Sequence, residues 1–132
     1  MGKSDYDKGM KTFAAIHGSD GLEVLERIKK ICPEMARFII EYPFGKIYSR
    51  KKLSRRMRQV ATIASLTTLG HAPKQLKSHI KAALRAGLSR EEIVEVILQM
   101  SVYAGFPAAL NALYVLSELS GQNGKRRKKK VS

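Results

Sequence analysis

Apolar residues recur along this chain every three or four positions with polar residues between them, the pattern of amphipathic helices rather than of strands. No alternating β-branched run of useful length interrupts it, and no internal repeat is visible. The pattern predicts a first helix from Asp5 to about Ile16, ended by Gly18. Asp20 suits the cap of a second, with Glu23 as its reciprocal partner and Leu22, Leu25, Ile28 and Ile31 on one face. Pro33 suits the first position of a third, where its missing N–H costs nothing. Tyr42-Pro43 then closes that helix, and Phe44 to Tyr48 follow as a compact apolar connector.

A longer helix is expected from about Lys52 to Leu69, with Leu53, Met57, Val60, Ala64 and Thr67 at helical spacing and Gly70 as terminator. Pro73 permits a new start, Leu76, Ile80 and Leu84 mark the next buried stripe, and Gly87 closes it. Ser89-Arg90-Glu91-Glu92 is a capping box, in which the serine hydroxyl and the glutamate carboxylate accept from each other's backbone N–H. The last helical pattern runs from Arg90 to about Leu119, and Pro107 should kink or break it near Gly105-Phe106. Beyond the break, Leu110, Leu113 and Leu116 or Ser117 continue one stripe. The expected fold is all-α, with about six to seven helices in a single domain over 1–120 and a basic, disordered tail over 121–132.

Charge changes this picture mainly at the end of the chain. The 132 residues carry a net charge of +14, of which six positives form the run Lys125 to Lys130. Such a run repels itself and reads as a solvated tail; it is the one place open to nucleic acid contact, but without aromatic residues for stacking the solvated terminus is the favoured reading. No apolar stretch is long enough for a membrane span, and the first residues are too polar for a signal peptide. With a single cysteine, Cys32, there is no internal disulfide and no CxxC pair, and a cytoplasmic location is expected. The final helix also carries more apolar residues than a narrow stripe holds, with the small residues Ala104, Gly105, Ala108, Ala109 and Ala112 among them. An all-round apolar helix must be buried, so a homo-oligomer is expected.

Familiar catalytic motifs are absent: there is no phosphate loop, no nucleophile elbow and no histidine pair at metal-ligand spacing. His17 near a helix end reads as a capping or surface residue, and His71 after Gly70 as a solvated turn residue. His79 lies at the border of the Leu76–Ile80 stripe, where an imidazole can face a cleft and transfer a proton. Spacing alone leaves a structural histidine open as well. Arg55, Arg56 and Arg58 supply cations suited to a carboxylate, although three arginines cannot all point inward from one helix.

Several segments together resemble the carboxymuconolactone decarboxylase family. "REEIVEVILQMSVYAGFPAALNALYVLSEL" is similar to its C-terminal half and "LKSHIKAALRAGLS" to its histidine-bearing helix. "YPFGKIYSR" is similar to its aromatic connector and "DYDKGMKTFAAIHG" to its opening helix. The likeness covers about Asp5 to Leu119 and implies an all-α, alkylhydroperoxidase D-like fold assembled into trimers or hexamers. It implies a carboxy-lyase that removes CO2 from γ-carboxymuconolactone or a related carboxylated lactone in aromatic catabolism, with no metal or organic cofactor. By the same resemblance His79 is the proton donor and Arg58 the anion contact, while Gln59, Tyr103 and Phe106 join the substrate pocket. The chain departs from the family in two ways. The peroxidase branch's CxxC is missing, which speaks against thiol chemistry, and Gln59 stands where many members have a glutamate, which removes a Glu–His proton relay. The alternative is a family member of another substrate, or a non-catalytic oligomer that binds polyanions through its tail.

Overall fold

The computed structural model describes side chains for residues 4–119, and the expected basic tail, 121–132, lies outside these described residues. The elements are α1 (Lys3–Ile31), α2 (Pro33–Ile39), a π-helix (Ile40–Ile47), α3 (Arg55–Leu69), α4 (Pro73–Arg85), α5 (Arg90–Ala104) and α6 (Phe106–Val131). Among the described residues there is no strand, so the chain is all-α. No helix there is long and apolar enough to cross a membrane. The chain packs as two compact units, Met1–Arg58 and Gln59–Ser132.

In the first unit, the two expected N-terminal helices follow each other within α1 and are separated by a kink at Gly18, whose φ of 62° and ψ of −157° are not helical. The face before the kink is amphipathic: Gly9, Thr12, Phe13, Ile16 and His17 are buried at helical spacing. His17 is therefore not at the surface. It is 5% exposed and packs with Phe13 and Phe44, ring centroids 5.2 Å and 5.4 Å away. Gly9 lets α1 approach the π-helix backbone to backbone, because a Cβ there would strike the Ile40 carbonyl.

Pro33 opens α2 as expected, but Pro43 does not end the helical path. The turn widens instead, and the Tyr48 N–H donates to the Pro43 carbonyl five residues back at 2.7 Å. The sequence reads as a helix end because proline cannot continue an α-helix; a π-helix carries the chain through it.

The second unit has one core, formed by Ile63, Leu76, Ile80, Ala83, Leu88, Ile93 and Ile97 with Ala109, Ala112, Val115, Leu116 and Leu119. Each fully buried isoleucine in it contributes about 1.5–3 kcal/mol relative to exposure. The Ser89 capping box starts α5: Ser89 Oγ accepts from the Glu92 N–H at 3.0 Å, and Glu92 Oε1 accepts from the Ser89 N–H at 2.8 Å. The expected break is real. Gly105 holds φ at 91° between α5 and α6, a conformation that suits glycine, and Pro107 falls in the first turn of α6, where its missing N–H is harmless.

Two stripes differ from expectation. α3 begins at Arg55, and its buried residues are Gln59, Ile63 and Thr67, while Leu53 and Met57 are exposed. On α6 the small Ala109 and Ala112 face the core with Val115, Leu116 and Leu119, leaving Leu110, Leu113 and Tyr114 outward. Small side chains permit close helix packing over the first turns of α6, where Leu110 and Leu113 turn outward.

Candidate active site

The buried stripe of α3 explains how a polar residue enters the second unit's interior. Gln59 lies one turn before Ile63 on the inward face and is 1% exposed. On α4, Leu76 and Ile80 are buried and anchor the helix, and His79 beside them is half-buried, at the edge of the apolar stripe. This geometry brings two sequence-predicted residues together: His79 Nδ1 lies 3.0 Å from Gln59 Oε1. The other end of the same amide, Gln59 Nε2, is buried with no hydrogen-bond partner. A buried donor left unpaired costs about 1–3 kcal/mol, a cost more often tolerated at functional sites than elsewhere.

The remaining expected site residues are placed differently. Arg58 closes the first unit; it is half-buried, and its Nη2 donates to the Arg50 carbonyl at 3.3 Å. Tyr103 and Phe106 flank the α5–α6 break and stand 76% and 73% exposed, open to solvent on the single chain rather than packed with the His79–Gln59 pair. His71 is exposed in its turn. Among the described residues no group of three or more His, Cys, Asp and Glu side chains is arranged to hold a metal ion.

A separate small cavity lies among Leu66, Thr67, Gly70, Ala72, Pro73, Leu76, Asn111, Ala112 and Val115. Its volume of about 20 Å³ accepts one water molecule and no substrate. Thr67, which the spacing predicts for the α3 stripe, is 1% exposed in this wall, and its hydroxyl is buried without a hydrogen-bond partner.

An all-α chain fits the family that the sequence resembles, and comparison with known proteins decides the point. The carboxymuconolactone decarboxylase family model matches residues 33–118. The chain belongs to the carboxymuconolactone decarboxylase family. It is 30% identical over 115 residues to the 4-carboxymuconolactone decarboxylase of Acinetobacter baylyi, covering 86% of this chain and 85% of that protein. It is 28% identical to the nitrosuccinic acid decarboxylase of Metarhizium robertsii, over 83% of this chain and 77% of the relative. An uncharacterized 15.0 kDa protein of Paracoccus denitrificans is 35% identical over 69% of each chain. Two relatives of this family member thus carry decarboxylase names with different substrates, so membership alone does not choose the substrate.

Proposed function

We propose that this family member is a decarboxylase of a small carboxylated molecule, with 4-carboxymuconolactone or a related lactone acid as substrate. The observation that carries the reading is the half-buried His79 held at 3.0 Å by the buried Gln59 amide, an oriented proton-transfer group on a rigid helix. The two decarboxylase relatives support the reaction class. In the reaction the bond between the carboxylate carbon and the ring breaks, CO2 leaves, and the electron pair spreads through the unsaturated lactone to its carbonyl oxygen. His79, as imidazolium, gives its proton to the carbanionic carbon and regains one from solvent. Arg58 is the proposed contact for a substrate carboxylate, and Tyr103 and Phe106 are proposed to cover the substrate. No cofactor enters this scheme.

The exposure of Tyr103 and Phe106 gives the expected homo-oligomer a concrete surface. Leu98, Val102, Leu110 and Tyr114 are also exposed on α5 and α6, at 60%, 75%, 47% and 64%. An apolar surface of this extent, on either side of the break, is suited to a second copy of the chain, in a trimer or hexamer. Incubation with 4-carboxymuconolactone, followed by CO2 release and loss of ultraviolet absorbance, tests the reaction. Absence of turnover with this lactone and with nitrosuccinate overturns the reading.

One observation favours a second reading, polyanion binding in the cytoplasm. No acidic residue falls between Glu41 and Glu91, and Arg50, Lys51, Lys52 and Arg55 in that stretch are exposed. Electrophoretic mobility of short DNA and RNA duplexes with the full chain, at low and high salt, separates this reading from the first.

A further inference from the structure

We infer that Gln59 works at both ends of its amide, fixing the proton of His79 on Nδ1 and offering its nitrogen to an anionic oxygen of the substrate. The inference rests on the decarboxylase reading for the substrate's chemistry, while the pairing stands on geometry alone. An amide oxygen has no proton to give. With Oε1 turned toward the ring at 3.0 Å, the proton of that hydrogen bond belongs to Nδ1. In the neutral ring Nε2 then carries the lone pair, and in the imidazolium Nε2–H is the proton that moves. Gln59 accepts from Nδ1 in both states, so the ring keeps its orientation through the transfer.

The other end of the amide identifies the ligand. Nε2 of Gln59 is buried and without a partner in a residue only 1% exposed, a donor prepared for an acceptor that the chain does not supply. An acceptor beside an imidazolium that still holds its proton is an oxygen carrying or gaining negative charge: a carboxylate, or the lactone oxygen that takes the electron pair when CO2 departs. A neutral N–H donor stabilises that oxygen without requiring its own proton balance. A carboxylate at position 59 would hold the histidine equally well and repel the anion. The amide therefore makes this position an anion-selecting contact rather than a station in a proton relay. Gln59 is thus a positioning residue toward His79 and a binding residue toward substrate.

The test uses the full-length protein and needs no turnover. Long-range proton–nitrogen NMR of the histidine rings, at a pH where His79 is neutral, reads which nitrogen carries the proton. Nδ1–H is expected for wild type and for Gln59→Glu, and a shift toward the Nε2–H form for Gln59→Leu. Titration with 5-oxotetrahydrofuran-2-carboxylate, a saturated and unreactive lactone acid, should move the Gln59 side-chain amide signals to a plateau. Its affinity should fall at least tenfold in Gln59→Glu and in Gln59→Leu, the second variant guarding against a misfolded first. An Nε2–H ring in wild type overturns the pairing. Failure of wild type to bind the probe, or wild-type affinity retained in either variant, overturns the donor role. If tautomer and affinities behave as expected but no CO2 is released from any carboxylated lactone, the decarboxylase reading falls and the role of Gln59 stands.

Discussion

Replacing Gln59 by leucine should stabilise the protein while impairing it. The side chain occupies a core position on α3, 1% exposed, one turn before Ile63. Two terms of opposite sign decide the outcome. The bond from His79 Nδ1 at 3.0 Å is lost, which costs about 0.5–1.5 kcal/mol, and the half-buried ring recovers part of that from water. The buried, unpartnered Nε2 is removed, which returns about 1–3 kcal/mol, and leucine of similar volume fills the space with apolar surface. The balance favours the variant by about 1 kcal/mol, or about 3–5 °C in Tm for a chain of this size. Urea unfolding followed by circular dichroism, at one fixed subunit concentration so that association does not contribute, reads the difference. CO2 release should fall at least tenfold in the same variant. A loss of stability greater than about 1 kcal/mol would refute the reasoning, because it would mean that the amide nitrogen is satisfied in the folded chain.

Other expectations follow from the fold. Ser89→Ala removes one half of a capping box in which both bonds are formed, and should cost about 1 kcal/mol by thermal or urea unfolding. Gly9→Ala places a methyl group on the Ile40 carbonyl and should cost about 1–3 kcal/mol or more, visible as a lowered Tm. Val102→Asp changes a side chain that is 75% exposed on the single chain, so the subunit's helical content should be unchanged. Sedimentation velocity should show its self-association weakened at least tenfold, and an unchanged assembly would remove that face from the interface.

Much of the fold was legible because its boundaries depend on local backbone chemistry. The capping box at Ser89, proline at the start of α2 and of α4, and the break at Gly105 each follow from which residues can donate an N–H or adopt a positive φ. What was not legible depends on which face packing selects. Periodicity assigned α3 a stripe through Leu53, Met57, Val60, Ala64 and Thr67; Thr67 is buried and Val60 packs against the core, but Leu53 and Met57 are exposed and Gln59 takes an inward position, because tertiary placement outweighed side-chain polarity. Of the predicted α6 stripe, Leu116 faces the core, while Leu110 and Leu113 turn outward and Ala109 and Ala112 take the inner positions. His17 was expected at the surface because a single histidine near a glycine gives no sign of the Phe13 and Phe44 rings around it. At the site, His79 was visible from its place beside Ile80 and Gln59 from its departure from a family glutamate. Their contact, and the unused amide nitrogen, required three dimensions.

The most direct test of the central claim is CO2 release from 4-carboxymuconolactone by wild type and by His79→Ala, measured side by side. General acid catalysis by a positioned histidine contributes about 10²–10⁴-fold, so wild type should release CO2 and the variant at least a hundredfold more slowly. Equal rates in the two proteins would contradict the account.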